Sequence, residues 1–396
     1  MRHLDVPVCL LLSFGGICAQ APRAVGTTTV AWQNTTGHGS PLLDATVCYP
    51  AVTAGVGTPM LQHATGWPVV VFLHGYSFLG EDYTWLGETW ASEGFVVVLS
   101  NTAQYNYLCQ GQDGRALYSA VVAENVRTGS FFEGAFDVSR LALAGHSMGG
   151  GMTGAVLANN PGYRCGLALA PAFPGWSAAG GVTAPFGIVV GTGDWVTPWG
   201  WYSLPYYHAI ASQDGLKFLY LLNHECDHMN IAGLSRYPTR SVFERVADVG
   251  VGFLNHFLDV GTGGLEKAVG PVAQSESRFL MLSQQIATPQ IWAASPLRIG
   301  MDSRLSVAAE EGLGGIIVAA SLGPACATPI GTLKLDASTT FLLATGRARA
   351  QRRIDVHVTV PNLVPLIGIS MALQAYGATA TQPLQLGSSM VLTVKP

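Results

Sequence analysis

From Trp67 onward, short runs of consecutive apolar residues alternate with segments whose apolar positions recur every three to four residues. Runs of this length read as strands buried on both faces, and the segments between them as helices that cover those faces. Strands are predicted at Val69–Leu73, Phe95–Ser100, Leu141–Ala144, Cys165–Ala170, Phe186–Gly191 and Lys217–Leu222, and helices at Glu81–Glu93, Arg115–Arg127 and Ser241–Leu258. This alternation implies an α/β fold with a mostly parallel central sheet flanked by helices.

The pattern changes after Asp259. Gly261 to Gly270 is glycine-rich, and short β-type runs follow, separated by Gly, Pro and Ser. In the clearest run, Ile354, Val356, Val358 and Val360 alternate with Asp355, His357 and Thr359, the period of a half-buried strand. The expected organisation is an α/β unit over 22–260, a linker over 261–283 and a small all-β, sandwich-like accessory domain over 284–396. The basic cluster of Arg347, Arg349, Arg352 and Arg353 reads as a solvated turn.

At the N-terminus, Arg2 and His3 precede an apolar run from Val6 to Ile17 that ends in Cys18 and Ala19. That is the layout of a signal peptide ending by residue 21, so a secreted or periplasmic location is expected. No later stretch reaches about 18 uninterrupted apolar residues, so no integral membrane segment is expected in the mature chain. With 24 acidic and 20 basic side chains the net charge is -4, which gives no field for nucleic acid. Of seven cysteines, removing Cys9 and Cys18 leaves Cys48, Cys109, Cys165, Cys226 and Cys326. An odd number cannot all pair within one chain; Cys48 with Cys109 is the expected disulfide. A monomer without cofactor or metal is expected.

The candidate chemistry begins at Gly145, His146, Ser147, Met148 and Gly149, which spell GxSxG directly after the strand Leu141–Ala144 and before a glycine-rich helix start. A nucleophile on so tight a strand-to-helix turn needs flanking glycines to avoid Cβ clashes. The helix then aims its N-terminus at the site, where the Met148 N–H donates to a developing oxyanion. A second donor is expected after Val69–Leu73, where His74, Gly75 and Tyr76 follow; the Tyr76 N–H is assigned, with its ring lining the pocket. An acid and then a histidine should follow at later strand ends. Asp194, in GTGDWVTP, is the acid. The base is His228, with His224 as the competing histidine. In the implied mechanism His228 takes the proton of Ser147 as it attacks an ester carbonyl, Asp194 steadies the imidazole, and water releases the acyl group.

At these residues the chain resembles the bacterial cutinase and polyester-hydrolase group of α/β-hydrolases, and more weakly the lipases, chlorophyllases and dienelactone-hydrolase-like esterases. The likeness runs from about Thr46 to Asp259. It is carried by VVVFLHGYSFLGEDYTWLGETWASEGFVVV, RLALAGHSMGGGM, APAFPGW, GTGDWVTP and the histidine after LYLLNHECD. The resemblance implies Ser147, Asp194 and His228 for catalysis, Tyr76 and Met148 for the oxyanion hole, and Trp176 as an aromatic wall of the substrate site. It also implies a hydrophobic or polymeric ester as substrate. This sequence departs from those cutinases in carrying His74-Gly75-Tyr76 where they carry Pro-Gly-Tyr, and in having Gly191 rather than a cysteine near the acid. Pro171 to Pro185 is a short loop, so an open cleft without a lid is expected.

Two other readings compete. His224 to His228 also spells HExxH, the zinc-peptidase pattern when it lies on a helix. A hydrolase fold that only binds a surface or polymer is the other.

Overall fold

The computed structural model describes residues 22–172, 176–212, 215–234, 240–260, 264–349 and 352–396. The expected signal peptide, 1–21, lies outside them. The first ten strands are β1 (Val25–Gln33), β2 (Leu42–Pro50), β3 (Gly55–Val56), β4 (Trp67–Leu73), β5 (Val96–Ser100), β6 (Phe136–His146), β7 (Tyr163–Leu169), β8 (Phe186–Gly191), β9 (Leu216–Leu222) and β10 (Phe279–Ile286). They form one sheet in the order β10-β9-β8-β7-β6-β4-β5-β2-β1-β3. Pairing is parallel from β5 through β9 and antiparallel where β2 meets β5 and β10 meets β9.

The chain runs from β4 to β5 on one side and then crosses back to β6 on the other. Crossovers leaving β4 and β6 therefore depart in opposite directions, and a crevice opens beyond their carboxyl ends, where Leu73 lies beside Gly145. Helices α1 (Thr84–Ser92) and α5 (Arg240–Phe257) pack together, as do α2 (Tyr107–Asn125) and α3 (Met148–Leu157), while α4 (Ser203–Ala209) lies between β8 and β9 in the chain. The central strands are buried throughout, which is why they read as unbroken apolar runs.

The α2 helix begins eight residues before its expected start, capped by the Asn106 side chain, which accepts from the Cys109 N–H at 3.0 Å. Gly111 and Gly114 weaken its sequence signal. Their bare faces let α2 approach Met152 and Val156 of α3 and Leu73 of β4. The expected Cys48–Cys109 disulfide does not form. Cys48 is buried beside Gly87 of α1, whereas Cys109 faces the Ser40 hydroxyl at 3.6 Å, and all five described cysteines are free.

Beyond β10 the chain is all β. Strands β11 (Gln290–Ala293), β12 (Asp302–Ala308) and β17 (Arg353–Thr359) form one sheet, in that order. A second sheet has the order β16-β13-β18-β19, from β13 (Gly312–Ala319), β16 (Phe341–Ala348), β18 (Ser370–Thr379) and β19 (Gln385–Thr393). Strands β14 (Leu322–Thr328) and β15 (Gly331–Leu335) make a separate hairpin. Ile291, Leu305 and Val307 from the first sheet share a core with Ile316, Leu373 and Leu392 from the second, the sandwich arrangement.

The span 261–283 differs from a linker. Leu265–Lys267 and Pro271–Gln274 are short helices, and β10 begins at Phe279, so Gln284 lies inside a strand of the large sheet. Gly261, Gly263, Gly264 and Gly270 give the span its loop-like composition, but Leu265, Ala268, Val269 and Ala273 are buried in the large core. Trp292 of β11 enters that same core, and its indole N–H donates to Glu266 Oε2 at 3.2 Å. Arg304 of β12 pairs with the other oxygen of Glu266.

Candidate active site

Ser147 stands between β6 and α3 with φ 54° and ψ −115°, a strained conformation for a side chain with a Cβ. The turn is held at both polar backbone atoms of the residue. Its N–H donates to Leu169 O at 3.0 Å, and its carbonyl accepts from Ala172 N at 2.8 Å and Gly151 N at 2.9 Å. Both motif glycines are required by contact. A methyl group at Gly145 would overlap the Gly149 backbone, and one at Gly149 would overlap the carbonyl oxygens of Leu73 and His74.

Three loops converge on this turn from the ends of β4, β8 and β9. The Oγ of Ser147 is 3.0 Å from His228 Nε2, and His228 Nδ1 is 2.8 Å from Asp194 Oδ2. All three side chains are at least nine-tenths buried. Asp194 Oδ1 accepts from the backbone N–H groups of Val196 and Thr197 at 3.0 and 2.7 Å, and the Thr197 hydroxyl donates to Oδ2 at 2.8 Å. Charge-assisted bonds of this kind stabilise the carboxylate and fix the oxygen that faces His228.

The remaining expected residues distribute as follows. Met148 is the first residue of α3, so its N–H has no acceptor within the helix. Tyr76 follows β4, its ring half exposed and edge-on to Tyr105 at 5.4 Å between centroids. The side chain of Trp176 lies outside the described residues. His224 is exposed just beyond β9 with its carbonyl packed against Gly193, and the Ser147 hydroxyl is met by His228 instead. The HExxH segment forms turns instead of a helix, Glu225 is paired with Arg278 at 2.5 Å, and among the described residues no three His, Cys, Asp or Glu are grouped to hold a metal. The zinc reading thus lacks the helix it needs.

Gly191, one of the departures from the cutinase pattern, touches the Cys226 backbone so closely that a Cβ there would overlap the Cys226 carbonyl. Burial pushes the Cys226 thiol far above its usual pKa, so it packs as a small apolar group.

Some site residues were not foreseen. Thr197 lies within 3.2 Å of His228 Nδ1 as well as bonding Asp194. Its signal was present in the sequence, because an aspartate followed three residues later by threonine is a local side-chain-to-backbone turn. Tyr83 and His146, both fully buried, contact the loops that carry Tyr76 and His228, and no local pattern announces them.

A mostly parallel sheet with a strained serine between strand and helix at its switch point defines an α/β hydrolase. Residues 17–279 match the profile of the PETase family, described as PET hydrolase-like, and the chain belongs to that family. Similar proteins include a bis(hydroxyethyl) terephthalate hydrolase of Streptomyces coelicolor, 26% identical over 246 residues, which cover 61% of this chain and 70% of that one. Cutinase est1 of Thermobifida alba is 32% identical over 154 residues, 38% of this chain and 50% of its own length. A cutinase of Thermobifida fusca is 32% identical over 151 residues, 37% and 48% of the two lengths. The chain thus spans about half the length of these two cutinases. Among the described residues no helix is long and apolar enough to cross a membrane.

Proposed function

We propose that the protein is an exported, monomeric serine esterase that cleaves hydrophobic or polymeric carboxylic esters through an acyl-enzyme. The observation that carries this reading is the pair of contacts at His228, 3.0 Å to the Ser147 hydroxyl and 2.8 Å to Asp194. His228 Nε2 takes the hydroxyl proton as Ser147 Oγ attacks the ester carbonyl. Asp194 holds Nδ1 protonated and stabilises the imidazolium. The carbonyl oxygen gains negative charge where the N–H groups of Tyr76 and Met148 converge, an electrostatic effect worth about 3 kcal/mol per donor. The imidazolium then protonates the leaving alcohol, and water, activated by the same base, releases the acid.

Exposed aromatic side chains in the segment after β8, which carries Asp194, support an extended, hydrophobic substrate. Trp195 and Trp201 are 86% and 78% exposed, so they belong to the surface and not to the core. The names of the similar proteins, a terephthalate-ester hydrolase and cutinases, point the same way. In this reading Trp176 forms an aromatic wall, Met1 to Ala21 directs export, the α/β unit that begins at residue 22 is catalytic and the all-β unit beyond β10 is accessory.

The test is a panel of aliphatic, aromatic and polymeric esters together with an organophosphonate that labels active serines. Ser147→Ala is expected to lose about 10⁵-fold in kcat while remaining folded. An unlabelled Ser147, or turnover that survives the substitution, overturns the proposal.

A further inference from the structure

We infer that Tyr83 and His146 are positioning residues that tie the oxyanion loop to the loop carrying the catalytic base. The inference rests on the esterase reading above and concerns two residues outside the triad and the oxyanion donors. His146 is fully buried one residue before Ser147, and its ring packs on that of His228 with centroids 4.7 Å apart. Its Nε2 lies 2.9 Å from the backbone carbonyl of His228, and its Nδ1 lies 2.9 Å from the Tyr83 hydroxyl. The Tyr83 oxygen in turn accepts the Gly75 N–H at 2.9 Å.

Geometry assigns every proton in this line. A carbonyl only accepts, so His146 Nε2 carries the hydrogen. Burial and the neighbouring His228 keep the ring neutral, with its pKa well below the ordinary value, so Nδ1 is bare and accepts from the phenol. The phenol oxygen is left with a lone pair for Gly75. Three hydrogen bonds thus run in one direction from the loop after β4 to the loop after β9, through the residue that precedes Ser147. Gly75 is held at its other end too, its carbonyl oxygen lying 2.8 Å from His74 Nδ1. Because a peptide is planar and trans, fixing that carbonyl aims the N–H of Tyr76 in the opposite direction. There is little slack: a Cβ on Gly75 would lie 3.1 Å from both His146 Nδ1 and the Tyr83 oxygen.

Tyr83→Phe keeps the ring that packs on Phe72 and removes only the hydroxyl, stranding one buried donor and one buried acceptor. It is expected to lower kcat on a soluble nitrophenyl ester roughly tenfold, with KM within about twofold, and to slow phosphonate labelling of Ser147 by the same factor. His146→Leu is expected to lose at least as much. His146→Gln, whose amide can donate to the His228 carbonyl and accept from Tyr83, is expected to recover most of that loss. Tyr83→Phe with unchanged kcat, a loss expressed in KM instead, or equal damage from the Leu and Gln variants overturns the inference. Wild-type labelling separates the two readings. No Ser147 adduct sinks the esterase reading, whereas an adduct formed equally fast in wild type and Tyr83→Phe sinks the relay alone.

Discussion

The strands of the large sheet and those of the C-terminal sandwich bury their side chains differently. Strands β4, β5, β8 and β9 are buried at every position, so their faces belong to the core and chemistry is available only where they end. β17 instead is exposed at every second position from Asp355 to Thr359, and β14 is exposed or half-buried along its length. The candidate site accordingly gathers at four strand ends of the first region, beyond β4, β6, β8 and β9. The family match likewise ends at residue 279, where β10 begins. The lesson is that full burial of a parallel sheet concentrates function at one edge, whereas a half-exposed sandwich offers faces.

Disturbing a strand end of the large sheet should cost the most stability. Gly149→Ala forces a methyl group into the carbonyls of Leu73 and His74, which cannot move without shifting β4. A loss of at least about 3 kcal/mol is expected in chemical denaturation, beyond the usual cost of overpacking because the obstacle is backbone. A loss below about 1 kcal/mol shows that the strand ends are looser than described. The same change at Gly346 of β16, whose nearest neighbours are atoms of the Ile354 side chain, is expected to cost under about 1 kcal/mol.

A smaller effect tests how far the two regions are independent. Glu266 is buried between them, accepting from Trp292 and pairing with Arg304. Glu266→Ala leaves both partners unmatched and is expected to cost about 2 kcal/mol. Calorimetry should then resolve two transitions in place of one. A single, undisplaced transition sinks the idea that this contact couples the regions.

Acid sensitivity is the most gradual effect, and it is expected in the first region. Burial holds His74, His146 and His256 below their ordinary pKa of 6.5. The unfolded chain takes up protons near that pH and the folded chain resists them, so this stability is present above pH 6.5 and falls as the pH drops. Each group that titrates only in the unfolded state contributes at most about 1.4 kcal/mol per pH unit. His74 should contribute least, because its two ring nitrogens face the carbonyls of Gly75 and Thr102 and a second proton there gains a bond. A melting temperature that stays level between pH 7 and 5 contradicts this account.

Much of the architecture was legible because it is written locally. Apolar runs marked β4, β5 and β8 to within one or two residues at each end, and helical spacing marked α5 with a shift of a single residue. What escaped was masked by composition: Gly111 and Gly114 hid the first half of α2, and glycines at 261–270 hid a folded connection. β1 and β2 form an antiparallel hairpin ahead of the first predicted strand.

The backbone at Ser147 follows from local sequence alone, because two glycines around a serine between strand and helix leave the chain few alternatives. The sequence also set the order in which the acid and the histidines follow. Only the tertiary structure decided that His228, and not His224, meets Ser147, and that Tyr83 joins His146 across 63 residues of chain. Local patterns encode dihedral angles and faces. Distances between segments far apart in sequence are set by how the sheet is wound and its helices are packed, and no short window of residues carries that information.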